Sequence, residues 1–270
     1  YDENEKSALA KVVCSGKWGR LDGSEVSRFE RHFAAYQGAK HGIAVTSGTV
    51  ALRIALLAMG IRPGDEVIVP AYTFMATATC VIESNATPIF VDIEPDTYNI
   101  APKAIEAAIT DRTKAIIPVH FGGLSADMDT IMSIAKQNNL TVIEDAAHAH
   151  GAEYKGRRLG SIGHMGCFSF QSTKNLNSGE GGIITTCDDK LAVACRSIHN
   201  CGRVEQGQCY KYHTISGNYR MTEFQGAILN SQLDRLDQQC TRREQNGKYL
   251  AERLSQIPGI EPQARRCCET

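Results

Sequence analysis

One lysine lies in a segment whose composition suits covalent chemistry. Lys174 follows the apolar run 168–170, stands in a turn of small and polar residues, and precedes the glycine-rich segment 179–182. An amine held in a shielded pocket near other positive groups loses its proton more readily, and the neutral amine is the form that attacks an aldehyde to give a Schiff base. A lysine on a solvated surface is the ordinary alternative. The aromatic and glycine-rich flanks favour the reactive interpretation.

A carboxylate follows another strand-like segment. Asp145 comes directly after the β-branched run 141–144, so we expect it at the carboxyl end of a strand, where open α/β sheets place their ligands. A carboxylate there can keep a ring nitrogen of a bound ligand protonated. The alternative is a helix N-cap for residues 146–149. The nearby His148 either orients an oxygen of the same ligand or fills a core position.

A third segment suits an anion. Thr46, Ser47, Gly48 and Thr49 separate a predicted strand from a predicted helix. Backbone N–H groups at a helix N-terminus, a glycine that permits close approach and adjacent hydroxyl groups together suit a phosphate. An ordinary Ser/Thr N-cap is the competing interpretation. The segment lacks the lysine of a Walker loop and the chain lacks a G-x-G-x-x-G fingerprint, which argues against nucleotide and dinucleotide binding.

The elements that must position these residues alternate between strands and helices, the pattern of βαβ units and of a mostly parallel sheet flanked by helices. The predicted strands are Gly42 to Thr46, Glu66 to Pro70, Thr87 to Val91, Ala115 to Val119, Thr141 to Glu144, Gly166 to Phe170 and Gly182 to Thr186. Helical spacing predicts helices at Thr49 to Met59, Thr73 to Ser84, Ala126 to Asn138 and Thr222 to Leu254. The fold class is therefore α/β.

Charge and composition narrow the class of partner. The net charge of −1 and the pI of about 6.8 argue against a nucleic acid or a membrane surface as partner, and favour a small molecule. No stretch has the apolar length of a membrane span, and the charged opening of the chain does not resemble a signal peptide. We expect a soluble chain.

The 10 cysteines are scattered without the spacing of a zinc site, so we expect no metal. Several lie in apolar or small-residue runs, as Cys80 and Cys167 do, where cysteine behaves as a small hydrophobe. A disulfide scaffold is normally a short chain that lacks a core. We therefore predict reduced thiols and a cytoplasmic location.

Two domains are predicted. Residues 1–230 form a large ligand-binding domain, and residues 231–270 form a linking helix and the start of a smaller C-terminal α/β domain. The segment Ile257 to Pro262 resembles the start of another strand, but the sequence ends soon afterwards. We expect that the second domain is incomplete in this sequence.

Seven segments, in this order, resemble the DegT/DnrJ/EryC1/StrS family of fold-type-I pyridoxal phosphate (PLP) aminotransferases, including its 3-amino-5-hydroxybenzoate synthase and cyclitol aminotransferase branch. They are WGRLDGSEV (18–26), TSGTVAL (46–52), GDEVIVPAYTFMATA (64–78), PVHFGG (118–123), EDAAHAHG (144–151), FSFQSTKNLNSGEGG (168–182) and GNYRMTEFQGAIL (217–229). Any one of them alone would be a weak signal. Together they cover nearly the whole chain.

The resemblance implies residue roles. Lys174 matches the Schiff-base lysine, Asp145 the partner of the pyridine nitrogen, and Phe74 the aromatic residue that stacks on the cofactor ring. The remaining cofactor contacts that it implies are the phosphate ligands Gly48, Thr49 and Ser169, the ring neighbour His148, and Asn218 and Arg220, which would reach the active site of the partner subunit in a homodimer.

The resemblance also implies a reaction. An amino group passes from glutamate or glutamine to the cofactor and then to a keto acceptor, with Lys174 moving the proton in both halves. A nucleotide-linked keto-sugar is the acceptor that we rank first. The alternatives are a cyclitol ketone and a 3-amino-5-hydroxybenzoate synthase-like reaction. Candidates for shaping the acceptor pocket are Trp18, Arg20, Tyr72, His120 and the stretch from Arg203 to Tyr212, each of which also has an ordinary structural explanation.

Three other functions compete with this one. Members of the family that dehydrate or deoxygenate sugars carry a histidine in place of the lysine, and Lys174 argues against that chemistry. A non-catalytic regulatory paralogue could keep the fold, but it has no need of the lysine, the acid and the stacking aromatic together. A dinucleotide-dependent oxidoreductase would also alternate strands and helices, but the glycine fingerprint is missing.

Overall fold

The computed structural model describes residues 2–203 and 211–265. Its helices are α1 (Glu3–Ser15), α2 (Glu25–Tyr36), α3 (Gly48–Ala58), α4 (Ala76–Glu83), α5 (Pro102–Ala108), α6 (Met128–Gln137), α7 (Asp189–His199), α8 (Glu223–Leu233) and α9 (Leu236–Leu254). Its strands are β1 (His41–Val45), β2 (Glu66–Pro70), β3 (Thr87–Val91), β4 (Thr113–Ile116), β5 (Thr141–Asp145), β6 (Glu153–Tyr154), β7 (Arg157–Arg158), β8 (Met165–Ser169) and β9 (Gly182–Thr186).

Within these described residues the central sheet has seven strands in the order β1-β9-β8-β5-β4-β2-β3, and β6 pairs with β7 in a separate ribbon. Strand β9 runs antiparallel to both of its neighbours, whereas the other neighbouring strands of the sheet are parallel. Strands β8 and β9 are joined by a loop without a helix, and a connection of that kind reverses the chain. The prediction of a mostly parallel sheet is confirmed.

Successive residues of the strands face opposite sides of the sheet, and each side is covered by helices. On one side Ile68, Ile116 and Phe168 pack in a core with α2, α5, α6 and α8. On the other side Val67, Val69 and Ile143 of the sheet pack in a second core with α3, α4 and α7. Full burial of an aliphatic or aromatic side chain contributes about 1.5–3 kcal/mol, so the two apolar layers hold the sheet between them. The predicted α/β class is confirmed.

Helix N-termini follow residues that can cap them. The side chains of Ser47, Asp127 and Asp188 accept hydrogen bonds from backbone N–H groups in the first turns of α3, α6 and α7. Each bond satisfies a donor that the helix itself leaves free. The cap at Ser47 also fixes where α3 begins, at the segment predicted to bind an anion.

Every predicted strand exists, with edges shifted by up to three residues. The largest shift is in β4, which ends at Ile116 although the prediction ran to Val119. Beyond Ile116 only an isolated bridge between Val119 and Asp145 continues the pairing. The predicted helix from Thr73 begins at Ala76, because residues 71–73 form a bend in front of it.

The single helix predicted from Thr222 to Leu254 is wrong. Arg235 leaves helical geometry (φ −113°, ψ 6°) and separates α8 from α9. Its guanidinium forms ion pairs with Asp2 and Glu5 of α1, while the next residue, Leu236, is fully buried. These tertiary contacts outweigh the helical periodicity of the sequence.

The segment Ile257 to Pro262 forms turns and irregular backbone, so the strand expected to begin there is also wrong. Among the described helices, none is both long enough and apolar enough to cross a membrane. Residues 2–203 and 211–265 also contain no cluster of three or more His, Cys, Asp or Glu side chains placed to hold a metal ion. The division into domains at residue 230 stays a prediction.

Candidate active site

A cavity of about 450 Å³ opens at the carboxyl ends of β5 and β8. Asp145 ends β5, Ser169 ends β8, and Lys174 stands in the loop after β8. Since the two strands are parallel neighbours, their carboxyl ends lie side by side and deliver these residues to one place. The predicted site residues that line the cavity are Gly48, Thr49, Phe74, Asp145, His148, Ser169 and Lys174.

Lys174 is half-buried at the wall of this cavity. Burial lowers the pKa of its amine, although the negative charge of Asp145 opposes the shift. The loop is held by the backbone N–H of Lys174, which donates to the Gln171 carbonyl at 2.9 Å. A lowered pKa increases the share of neutral amine, which is the nucleophilic form.

Asp145 is a buried carboxylate that faces the cavity. Its Oδ2 accepts a hydrogen bond from Thr77 Oγ1 at 2.8 Å, and its Oδ1 accepts one from the Ala147 N–H at 3.2 Å. Its backbone is held as well, since Asp145 N–H donates to the Pro118 carbonyl and the Asp145 carbonyl accepts from His120 N–H. Both the position and the rotation of the carboxylate are therefore fixed.

The anion segment is built from the start of α3 and the end of β8. A Cβ added at Gly48 would lie 2.8 Å from Ser169 Cβ, so only glycine allows the two segments to approach this closely. The first N–H groups of α3 have no partner within the helix and carry its partial positive charge. With the hydroxyls of Thr49 and Ser169 lining the same cavity, these groups suit a phosphate.

An aromatic surface and an imidazole complete the cavity. Phe74 is 71% exposed, and its ring is available to a planar ligand. His148 Nδ1 accepts a hydrogen bond from Gly122 N–H at 3.3 Å, and its ring meets the Phe121 ring edge-on at 6.0 Å. Burial lowers the pKa of His148, the charge of Lys174 lowers it further, and Asp145 acts in the opposite direction. His148 therefore favours its neutral form beside the lysine.

Two predicted contacts lie elsewhere in this subunit. Asn218 is exposed and Arg220 is half-exposed, and neither lines the cavity. The Arg220 guanidinium donates to Asn200 Oδ1 at 2.7 Å, and Arg220 N–H donates to Asn218 Oδ1 at 3.3 Å. Their contact with the active site of a partner subunit stays a prediction.

The candidates for the acceptor pocket have mixed outcomes. His120 is fully buried and donates to Glu144, and Arg20 pairs with the buried Glu30 at 2.8 Å, so these two side chains support the fold. Trp18 packs against Phe224 at a ring distance of 5.9 Å. Tyr72 is half-exposed, and its ring lies 4.7 Å from that of Phe121 at the cavity. Residues 204–210 of the last candidate stretch lie outside the described residues.

Sequence reasoning missed Thr77 and Phe121. Thr77 is fully buried on α4 and touches Asp145, which is 68 residues away in the chain. The spacing of Thr73 and Thr77 by four residues places the two hydroxyls on one side of a helical turn, and that was the available signal. Phe121 follows the PVH segment without any local pattern that predicts exposure to a cavity.

PLP matches the chemical groups of this cavity. Gly48, Thr49 and Ser169 line a part of the cavity suited to a phosphate. Asp145 offers a negative charge, which stabilises a protonated pyridine nitrogen. Phe74 offers a ring face, and Lys174 offers an amine for an aldehyde. All of these groups line one cavity.

The chain matches curated relatives over nearly its whole length. It is 43% identical to the 3-amino-5-hydroxybenzoate synthase of Amycolatopsis mediterranei, covering 97% of this chain and 68% of the relative. It is 44% identical to the GDP-perosamine synthase of Caulobacter vibrioides (95% and 68%). It is 40% identical to a putative L-glutamine:3-amino-2,3-dideoxy-scyllo-inosose aminotransferase of Streptoalloteichus tenebrarius (97% and 64%). The chain thus spans 64–68% of the length of these relatives.

Solved structures agree with the fold and the cofactor. A crystal structure of 3-amino-5-hydroxybenzoic acid synthase superposes with a TM-score of 0.96 at 41% identity, covering 98% of this chain and 70% of that one. NtdA from Bacillus subtilis, solved with bound cofactor PMP, superposes with a TM-score of 0.81 at 37% identity, covering 87% and 53%. The model of the DegT/DnrJ/EryC1/StrS aminotransferase family matches residues 1–267. The chain therefore belongs to this family of PLP-dependent aminotransferases.

Proposed function

We propose that this protein transfers an amino group from glutamate or glutamine to the ketone of a nucleotide-linked sugar, with PLP bound to Lys174. One observation carries the proposal. A half-buried amine whose pKa is lowered, that of Lys174, and a buried, doubly hydrogen-bonded carboxylate, that of Asp145, share one cavity with the N-terminus of α3. This combination serves a cofactor that has an aldehyde, a basic ring nitrogen and a phosphate.

The residues divide the work of holding the cofactor. Gly48, Thr49 and Ser169 would hold the phosphate, Asp145 would pair with the ring nitrogen, and the Phe74 ring would stack on the cofactor, since all of them line the cavity. His148, whose pKa is lowered by burial, would be a further neighbour of the cofactor. Bound PLP supplies an electron sink for the charge left on a substrate carbon when its proton is removed.

Lys174 is the proton carrier in both halves of the reaction. Burial lowers the pKa of the Lys174 amine, which favours the neutral Nζ that would accept the proton of the donor α-carbon. In the first half the Lys174 ammonium would give this proton to the cofactor carbon. In the second half Lys174 would take a proton from that carbon and give it to the acceptor carbon. Asp145 stays in place throughout, because Thr77 and the Ala147 N–H hold both of its oxygens.

The acceptor class rests on the relatives. One named relative makes GDP-perosamine, one is a putative cyclitol aminotransferase and one is 3-amino-5-hydroxybenzoate synthase. A nucleotide-linked keto-sugar is our first choice, and a cyclitol ketone or a benzoate precursor of the third type is the alternative. Tyr72 is half-exposed and packs against Phe121, which lines the cavity, and we keep it as a candidate for contact with the acceptor.

We further propose a homodimer with shared active sites, in which Asn218 and Arg220 approach the cavity of the partner. Asn218 is exposed in the single subunit, as such a contact requires. The described cysteines are all free, which suits a reducing compartment and supports a cytoplasmic location.

The visible absorption spectrum with added PLP tests the proposal. The protein should develop the band of a lysine-bound cofactor, and Lys174→Ala should not. Lys136→Ala, which removes an exposed lysine from α6, is the matched control and should behave as the parent protein does. Addition of glutamate or glutamine should then replace the band with that of the aminated cofactor. A parent protein that binds no PLP, or binds it without needing Lys174, contradicts the proposal.

A further inference from the structure

Two threonine hydroxyls lead from the cavity wall to the buried carboxylate. Thr73 lies in the bend before α4 and lines the cavity, and Thr77 lies in the first turn of α4 with no exposed surface. Their Oγ1 atoms are 2.8 Å apart, and Thr77 Oγ1 is 2.8 Å from Asp145 Oδ2. The three groups form one continuous chain of hydrogen bonds.

The carboxylate sets the direction of this chain. An ionised carboxylate only accepts, so Thr77 must donate its single hydroxyl proton to Asp145 Oδ2. Thr77 has no second proton to give, and the contact between the two hydroxyls therefore requires Thr73 to donate to Thr77. Hydrogen bonds aligned in this way polarise one another, so the donor at Asp145 is stronger than an isolated hydroxyl.

The two carboxylate oxygens of Asp145 accept hydrogen bonds from different kinds of donor. Oδ1 accepts from a backbone N–H that no side-chain substitution removes, whereas Oδ2 depends on the Thr77 hydroxyl. The Thr77 hydroxyl is therefore the side-chain donor that fixes the orientation of the carboxylate.

We propose that Thr77, supported by Thr73, is a positioning residue that keeps the Asp145 carboxylate aimed at the ring nitrogen of PLP. The inference rests on the proposed function, since it assumes that PLP occupies the cavity. Without the Thr77 hydroxyl, Asp145 Oδ2 loses its side-chain donor, and the carboxylate is less well oriented to stabilise a positive ring nitrogen. The cofactor then binds more weakly, and its bond to Lys174 retains a proton to higher pH because the nearby ring repels that proton less.

Two substitutions at one position separate the hydroxyl from the volume of the side chain. Thr77→Val keeps the shape and removes the donor, and Thr77→Ser restores the donor. Thr79→Val is the matched control on the same helix, because among the described residues the Thr79 hydroxyl donates only a long hydrogen bond, of 3.5 Å, to the Ala76 carbonyl. Thr73→Val removes the outer hydroxyl alone and is available if Thr77→Val fails to fold.

Two measurements on the PLP-loaded protein test the role of the Thr77 hydroxyl and require no acceptor substrate. They are the dissociation constant for PLP and the pH midpoint of the absorption band of the lysine-bound cofactor. For Thr77→Val we expect PLP binding weaker by roughly tenfold, the effect of one hydrogen bond to a charged group, and a higher pH midpoint. Thr73→Val should shift both quantities in the same direction by less, while Thr77→Ser and Thr79→Val should match the parent.

Unchanged affinity and midpoint in Thr77→Val, or in Thr73→Val where only that variant folds, would overturn the inference and leave the proposed function standing. Equal shifts in Thr79→Val would also overturn it, because the effect would then belong to the helix. If the parent protein itself forms no Lys174-dependent band, the proposed function fails, and the inference fails with it.

Discussion

His120 Nε2 lies 2.9 Å from Glu144 Oε2, and both side chains are fully buried. His120 Nδ1 accepts from Ala126 N–H, so Nε2 is the ring nitrogen that donates to Glu144. The Glu144 carboxylate also accepts from the N–H groups of three loop residues, Gly160, Ile162 and Gly163. Since Glu144 precedes Asp145 in β5, this buried acid ties the loop before β8 to the strand that carries Asp145.

Substitution of Glu144 by glutamine should strongly destabilise the protein. The amide NH2 would face some of the donors that the carboxylate now accepts, and an unsatisfied buried donor costs about 1–3 kcal/mol. We expect the free energy of unfolding to fall by at least about 2 kcal/mol, measured by urea denaturation at neutral pH. Glu106→Gln, on the exposed face of α5, is the control and should change little. Equal stability of the two variants would contradict this account of Glu144.

The same acid predicts a loss of stability at low pH. Burial alone would raise the pKa of Glu144, but the hydrogen bonds from His120 and from the loop N–H groups hold it below the usual value. Its contribution is therefore present above the pKa of the unfolded chain and is lost as pH falls through the lower pKa of the folded protein. The free energy of unfolding of Glu144→Gln should therefore fall less between neutral and acidic pH than that of the parent protein. Urea denaturation of both proteins at the two pH values would measure this difference.

The contact between Gly48 and Ser169 predicts a steric effect that can be rescued. In Gly48→Ala the new Cβ would lie 2.8 Å from Ser169 Cβ, and the start of α3 and the end of β8 must move apart. Overpacking of this kind costs about 1–3 kcal/mol. The thermal midpoint of the cofactor-free protein should fall, and the further change Ser169→Gly should recover much of the loss. A double variant no better than the single one would show that the contact is not the cause.

A buried histidine predicts a second pH dependence. Burial lowers the pKa of His150 to about 3 from its ordinary 6.5. Below pH 6.5 the unfolded chain takes up a proton that the folded chain refuses, so stability falls by about 1.4 kcal/mol per pH unit towards the lower value. The ring packs 5.6 Å from Phe168 and 5.7 Å from Phe170, a setting that accepts phenylalanine.

His150→Phe should therefore keep its fold and lose this part of the acid sensitivity. Urea unfolding at several pH values between neutrality and pH 4 would measure the slope. His199, whose pKa burial lowers to about 4, contributes a similar slope to both proteins and leaves part of the dependence in place. His32→Gln, on the exposed side of α2, should keep the full slope. An identical slope in His150→Phe and the parent would refute the prediction.

Much of the fold could be predicted from the sequence because the signals are local. Short β-branched runs between turns mark most of the strands. Asp145 follows such a run, and Lys174 follows the aromatic residues Phe168 and Phe170 within a few positions. The end of a strand determines which edge of the sheet a residue occupies. The gathering of both residues in one cavity therefore follows from the parallel pairing of β5 with β8.

What only the tertiary structure decided involves partners far apart in the chain. Thr77 and Asp145 are 68 residues apart, and no periodicity relates a helix hydroxyl to a strand carboxylate in another unit. The break at Arg235 depends on ion pairs with α1, at the opposite end of the sequence, and the local helical pattern continues through it. Periodicity in the sequence indicates which face of a helix or strand is buried. Which residue of another segment contacts that face depends on how the segments pack together.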